Sequence, residues 1–368
     1  SFAATYHPRS EAAAILGKRT LAEGFLPAAE IMNRDGKELL VQYTTSEPLQ
    51  RMLTSIIKRG SVRYAAFVAM DPDTGEVKAL ISYGHETENL ALRATYPSAS
   101  VFKIVTASAL LAHGMSADAT TCFSGGFHRL MPADLTPDPR RDRECVTVGE
   151  AFARSINTVF ARRALAHLRP ETEADAARRW GFGGEIPFDA PVTRSVYLIP
   201  EDTLGFARTA AGFWNTTLSP LHGALLAQGI ALRGDVMRPW MVESVRGARD
   251  EELAHGAPQV WRRAVTPEVA AVLQRAMLRT VTDGTGFHGF HDPAGRPYLE
   301  GVTVGGKTGT LTQDTPYVAY TWFVGNAEGA GRRLSVGVMV GNGPTWRVKA
   351  ATLARQVLQI AFRGQATD

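Results

Sequence analysis

Ser100-Val101-Phe102-Lys103, Ser155-Ile156-Asn157 and Lys307-Thr308-Gly309-Thr310 stand in that order along the chain. Together they supply a hydroxyl nucleophile, two lysines, a second hydroxyl, an amide and a run of small and hydroxylic residues. That set suits acyl transfer. A serine hydroxyl attacks well only when a base takes its proton. A lysine can be that base where burial and a nearby positive charge lower its pKa. Phe102 and Ile104 offer apolar surroundings for Lys103, and Lys307 offers the second charge. Ser155 can relay a proton to a leaving amine, and Asn157 can hold a peptide carbonyl. Lys307 with the Thr308 and Thr310 hydroxyls can bind a carboxylate. The amides of Ser100 and Thr310 are expected to form an oxyanion hole, each donor of which is typically worth about 100- to 1,000-fold in rate. The small residues Gly305, Gly306 and Gly309 would let a substrate lie close to the strand.

Each motif alone has an ordinary structural explanation, so the elements around it must decide. Pro97-Ser98-Ala99-Ser100 precedes an apolar helical pattern ending at His113-Gly114, which puts Ser100 at a helix N-terminus and Lys103 on the same face. On the order of one Ser-x-x-Lys arises by chance in a chain of this composition. Ser55-Ile56-Ile57-Lys58 is such a copy, and its place late in a helical run makes it structural. Thr147-Val148-Gly149-Glu150 is a capping box that opens a helix leading to Ser155, and a second helical run follows Asn157. Residues 301–308 also satisfy Gly-x-x-x-x-Gly-Lys-Thr. A phosphate-binding loop needs a strand before it and a helix after it. Here a loop precedes and a strand pattern follows, which argues against nucleotide binding.

The 368 residues are 45% apolar and 21% charged, an ordinary composition for one large domain or two. The net charge of +4 describes a generic surface, and no nucleic-acid-binding signature occurs. Arg140-Arg141-Asp142-Arg143 reads as a solvated loop. No apolar stretch is long enough to span a bilayer. The chain opens at Ser1 rather than Met, so an upstream segment is expected, and membrane contact only through an anchor outside this sequence. Cys122 and Cys145 bracket a polar excursion, and a disulfide and two reduced thiols both remain open. The scattered histidines, His288 and His291 included, suggest no metal site, and no cofactor is expected.

A short helix is predicted around Glu11 to Glu23, a turn at Asn33 to Gly36, a strand from Leu39 to Tyr43 and a helix from Glu47 to Arg59. A hairpin joins Tyr64–Met70 to Glu76–Tyr83. Helices dominate from Ser100 to about Thr282. Strands resume at Val302–Thr310, Tyr317–Gly325 and Leu334–Val340, before a last helix from about Trp346 to Phe362. The fold class expected is α/β in the α+β sense. A mostly antiparallel sheet is flanked by N- and C-terminal helices and joined to an all-helical lobe, with the active site between lobes. Residues 1–40 are expected to be an N-terminal extension or linker remnant, and 41–368 one domain. Its sheet lobe comprises 41–100 and 283–368, and its helical lobe 101–282.

From about Leu40 onward the chain resembles the transpeptidase domain of penicillin-binding proteins, within the serine β-lactamase and D,D-peptidase superfamily. The three motifs match the Ser-x-x-Lys, Ser-x-Asn and Lys-Thr-Gly signature. Gln42-Tyr43-Thr44-Thr45 with Leu49-Gln50 is similar to the usual start of the domain. Asp71 to Val77, Leu218 to His222 and Gly284-Thr285-Gly286 are also similar to family segments. The resemblance implies a D,D-transpeptidase that cross-links peptidoglycan stem peptides ending in D-Ala-D-Ala and is acylated by β-lactams. Ser100 would be the nucleophile, Lys103 the base, Ser155 the proton relay and Lys307 an electrostatic partner. Asn157, Thr308, Gly309 and Thr310 would hold substrate. It also implies an extracytoplasmic, membrane-anchored protein with cell-wall synthesis partners. The chain holds no glycosyltransferase domain, which suits a monofunctional protein or part of a bifunctional one. Its start leans to the bifunctional class, and the first 40 residues are too few for a pedestal domain. A D,D-carboxypeptidase, a β-lactamase and a non-enzymatic β-lactam sensor are the alternatives. Glu201-Asp202-Thr203-Leu204-Gly205 only approaches the loop with which class A β-lactamases activate water.

Overall fold

The computed structural model describes residues 11–16, 21, 24–60, 62–84, 89–127 and 129–363. Helix α1 (Glu11–Leu16) precedes strands β1 (Gly24–Phe25), β2 (Ala29–Arg34) and β3 (Lys37–Tyr43) and helix α2 (Glu47–Arg59). Of the helix expected over Glu11 to Glu23, residues 17–20 and 22–23 lie outside the described ones. Strands β4 (Tyr64–Met70) and β5 (Val77–Tyr83) form the expected hairpin, and β6 (Tyr96–Pro97) leads through a tight 3₁₀ turn, Ala99–Phe102, into α3 (Lys103–Ala112). Strands β7 (Thr120–Phe123) and β8 (Glu144–Thr147) enclose α4 (Pro132–Leu135). Then come α5 (Val148–Ala153), α6 (Asn157–His167), α7 (Pro170–Arg179), α8 (Thr203–Ala210), β9 (Thr217–Leu218) and α9 (Pro220–Ala231). Strands β10 (Asp235–Met237), β11 (Val242–Gly247), β12 (Glu252–His255) and β13 (Val260–Arg263) lead to α10 (Pro267–Thr282) and α11 (Phe287–Phe290). The chain ends in β14 (Thr303–Asp314), β15 (Tyr317–Gly329), β16 (Arg332–Asn342) and α12 (Ala350–Arg363).

The main sheet runs β1-β5-β4-β16-β15-β14, antiparallel throughout. Its central strands are covered on both faces, which is why β4 is an unbroken apolar run, Ala65 to Met70 all buried. On one face Leu53 and Ile57 of α2 and Leu353, Val357 and Leu358 of α12 pack against Phe67, Ile81, Phe323 and Val338. On the other, α9 lies across β16, β15 and β4. Gly337 and Gly223 permit this close approach: a Cβ on Gly337 would fall 2.0 Å from Pro220 O. The β4–β5 turn is fixed by Asp71, whose carboxylate accepts from the amides of Asp73 (2.8 Å) and Thr74 (3.1 Å), with Gly75 at φ +80° closing it.

The mixture of helices with a mostly antiparallel sheet is as expected, but the middle of the chain is not all helical. Strands β7 and β8 pair with each other, and β10 with β13. A second sheet, β12-β11-β3-β2, joins residues 242–255 to the N-terminal strands. These strands are short, and their partners lie far away in sequence, so local periodicity carries little trace of them. The expected boundary at residue 40 falls inside β3.

Candidate active site

Ser100 sits in a turn clamped from both sides. The amide of Ser98 donates to Thr216 O (3.0 Å), and the indole of Trp322 donates to Pro97 O (2.9 Å). Ala99 then takes φ +50°, a costly conformation for a residue with a side chain. Gly212 (φ +81°) backs the turn: a Cβ there would lie 2.6 Å from Ala99 O and 2.8 Å from Ser100 Cα. Gly309 of β14 presses from the sheet, where a Cβ would lie 3.1 Å from Ala99 Cβ and 3.3 Å from the Ser100 amide. Residues three apart in a 3₁₀ turn eclipse one another. Lys103, the first residue of α3, therefore stands over Ser100, with Nζ 2.9 Å from Oγ.

Lys103 is fully buried. Besides Ser100, its Nζ bonds Asn157 Oδ1 (2.7 Å) and Ala211 O (2.5 Å). Burial first, and then the charge of Lys307, hold its pKa well below the usual lysine range. Asn157 Nδ2 donates to Phe127 O (2.9 Å), which fixes the amide with Oδ1 towards the lysine. Both carbonyl oxygens facing Nζ can only accept. A neutral Lys103 gives them its two N–H bonds and turns its lone pair to the Ser100 hydroxyl. A general base would need that arrangement.

The capping box opens α5 as expected: the Glu150 amide donates to Thr147 Oγ1 (3.2 Å), and the Thr147 amide to Glu150 Oε2 (2.7 Å). Ser155 lies between α5 and α6 at φ +58°. Lys307 Nζ donates to Ser155 Oγ (2.9 Å) and to Thr308 O (3.0 Å). Lys307 is fully buried, and burial lowers its pKa to about 7. The two lysines face different aromatic rings, Lys103 that of Phe160 and Lys307 that of Phe152. Thr308 and Gly309 adjoin this centre, and the Thr310 side chain is exposed one residue on. Gly305 and Gly306 serve packing instead: a Cβ on Gly305 would crowd Met277 and Leu278 of α10, and one on Gly306 would fall 2.4 Å from the Phe323 ring.

Thr285 adjoins the site, and Glu173 reaches α3 from α7. Thr285 Oγ1 lies 2.5 Å from Thr308 Oγ1, and its amide donates to Ala153 O (3.0 Å), tying β14 to the end of α5. Its signal was the Gly284-Thr285-Gly286 run, since a Cβ on Gly284 would lie 2.4 Å from Ala153 O. Glu173 of α7 is fully buried, with Oε1 2.6 Å from Thr106 Oγ1, which in turn lies 2.9 Å from Ala210 O. Burial raises its pKa to about 8, against a smaller lowering by Thr106. Nothing in the local sequence marks it.

The rival motifs fall elsewhere. Ser55 and Lys58 are exposed on α2. Lys307 lies within a strand followed by another strand, opposite Val324, so no phosphate-binding loop forms. Asp202 caps α8 by accepting from the Gly205 amide (2.8 Å), while Glu201 is exposed. Cys122 and Cys145 lie opposite each other in the β7–β8 pair and are joined by a disulfide. Asp142, expected in solvent, is instead buried against Arg162 at 2.6 Å, and this partner holds its carboxyl down at about 2. Among the described residues no cluster of three or more His, Cys, Asp or Glu could hold a metal, and no helix is long and apolar enough to cross a membrane.

Residues 65–359 match the family described as penicillin binding protein transpeptidase domain. The peptidoglycan D,D-transpeptidase PbpA of Mycobacterium tuberculosis is 28% identical over 348 residues, covering 82% of this chain and 67% of that protein. The imipenem acyl-enzyme complex of penicillin-binding protein A from the same organism superposes with a TM-score of 0.71 at 27% identity, covering 87% of this chain and 79% of the other. The D,D-transpeptidase domain of a peptidoglycan glycosyltransferase from Eggerthella lenta shares the fold, with a TM-score of 0.71 at 23% identity, over 89% of this chain and 83% of the other. With a match that runs from β4 to α12, over most of its length, the chain belongs to the penicillin-binding protein transpeptidase domain family.

Proposed function

We propose that the chain is a serine D,D-transpeptidase, with Ser100 as the nucleophile and stem peptides ending in D-Ala-D-Ala as the donor substrate. The observation that carries this reading is the setting of Lys103 Nζ, 2.9 Å from Ser100 Oγ and bonded to two oxygens that can only accept. Lys103 takes the hydroxyl proton as Oγ attacks the penultimate D-Ala carbonyl. The amides of Ser100 and Thr310 receive the developing oxyanion. Ser155 passes its proton to the departing D-Ala nitrogen and is resupplied through Lys307 Nζ, 2.9 Å away. An amine of a second stem then attacks the acyl-enzyme, its proton passes through Ser155 to Lys307, and Lys103 returns its own proton to Ser100 Oγ as the ester bond breaks. β14 is an edge strand of its sheet, so an extended peptide can lie along it, held by Asn157, Thr308 and Gly309. A β-lactam acylates Ser100 in place of the peptide. The Cys122–Cys145 disulfide supports an oxidising location outside the cytoplasm.

A fluorescent penicillin tests the assignment. One label per chain is expected, abolished by Ser100→Ala and retained by Ser55→Ala. Labelling that survives Ser100→Ala overturns it. Because Asp202 is occupied as a cap and Glu201 is exposed, neither is set to activate water for deacylation, and the label should persist for hours. Turnover within seconds would mean a β-lactamase instead.

A further inference from the structure

Asn157 works only in one orientation, and an excursion distant in sequence fixes it. Phe127 O can only accept, so it draws Nδ2 and leaves Oδ1 for Lys103. The backbone at Phe127 is held against the start of α6 by a close fit. Gly125 O accepts from Thr158 Oγ1 (3.0 Å), and a Cβ on Gly126 (φ +73°) would lie 1.9 Å from that same oxygen. One turn further along α6, Arg162 is buried and gathers the rest of the excursion. Its Nε donates to Asp134 O (2.7 Å), one terminal nitrogen to Cys122 O (3.0 Å) and Asp142 Oδ2 (2.6 Å), and the other to Thr136 O (3.1 Å). Asp142 also accepts from Ser124 Oγ (3.0 Å), and the Cys122–Cys145 bond closes the base of the excursion.

We infer that Arg162 is a positioning residue for acylation: its fork, with the disulfide-closed excursion it grips, holds Phe127 O where it locks the Asn157 amide towards Lys103. The inference rests on Ser100 and Lys103 acting as proposed above. If the grip loosens, the amide is free to turn. Its Nδ2 then faces Lys103 and donates to the lone pair that Ser100 needs. The charged and titratable groups around Lys103 do not change: Lys307 acts from β14, Glu173 touches Thr106 from α7, and the charge of Arg162 is matched by Asp142. The effect is therefore one of orientation, not of net charge.

The test is a double-mutant cycle on the rate of penicillin acylation. Lysine keeps the charge at 162 but cannot supply the fork. Arg162→Lys should slow acylation by roughly tenfold in the native background, the scale expected of a small misplacement. In an Asn157→Ala background, followed over hours, it should change the rate by less than about twofold, since there is no amide left to orient. The same factor in both backgrounds, or no slowing in the native one, overturns the inference. Should Arg162→Lys not fold, as judged by its melting curve, Cys122→Ser/Cys145→Ser opens the excursion from its exposed base and is read by the same cycle. Ser100→Ala is run alongside. If it still takes label, the functional assignment has failed; if it does not and the cycle shows no coupling, only the role of Arg162 has.

Discussion

At the scale of single residues, burial governs the site. Lys103 and Lys307 both lie in dry, aromatic surroundings, so neither behaves as an ordinary surface ammonium. The same physics acts on Glu173, one helix away, with the opposite sign. Its carboxyl stays protonated in the folded chain up to about pH 8, whereas in the unfolded chain it ionises near the ordinary 4.5. Between those values the folded state holds the extra proton, so this group stabilises the fold fully below about pH 4.5 and loses that contribution as pH rises to about 8. Glu173→Gln has no proton to lose. The melting temperature of the variant minus that of the native chain should therefore climb steadily from pH 5 to pH 8. A difference that stays flat would mean that Glu173 is already ionised in the fold.

Elements hold these residues through backbone contact more than through side chains. The Ser100 turn is wedged between Gly212 and Gly309, and at Gly212 the conformation and the space both demand glycine. Gly212→Ala must place a methyl 2.6 Å from Ala99 O at φ +81°. Strain at positive φ and overpacking together should cost about 2–4 kcal/mol, and acylation should slow because the methyl meets the Ser100 backbone. Thermal melting and the penicillin acylation rate check the two effects. A variant that melts and acylates like the native chain would show that the turn has room. Legibility follows the same division. Ser100, Lys103, Ser155, Asn157 and Lys307 could be nominated from sequence because local helix and strand signals fix their placement within each motif. Thr285 had only the Gly284-Thr285-Gly286 run as its signal, and Glu173 had none, because what brings it against Thr106 is the packing of α7 on α3. Arg140 to Arg143 misled for the same reason. A charged run reads as solvated until Arg162, from another element, buries the one acid within it.

Across the whole molecule, the least legible feature was how the two ends of the chain join its middle. The hairpin β4–β5 and the strands β14 to β16 have long runs and clear turns, so the main sheet could be foreseen. The second sheet could not, since β3 pairs with β11 about 200 residues away. Residues before 41 consequently belong to the packed fold. Leu16, Leu21, Leu26 and Leu39 are buried in the main core, Gln50 of α2 donates to Leu26 O (2.7 Å), and the Tyr43 amide donates to Ala28 O (2.9 Å). A chain that begins at residue 41 loses those side chains and strands the buried amide of Gln50. Burial of this kind is worth roughly 1.5–3 kcal/mol per leucine, so the loss of four should be on the order of 6–12 kcal/mol. For a chain of this size, that lowers the melting temperature on the order of 10 °C. The residues proposed for acylation all remain, so the shortened chain, kept well below its melting point, should still take one penicillin label through Ser100. If it melts with the full chain, the first 40 residues are an appendage after all, and the second sheet's N-terminal strands add nothing to the stability of the fold.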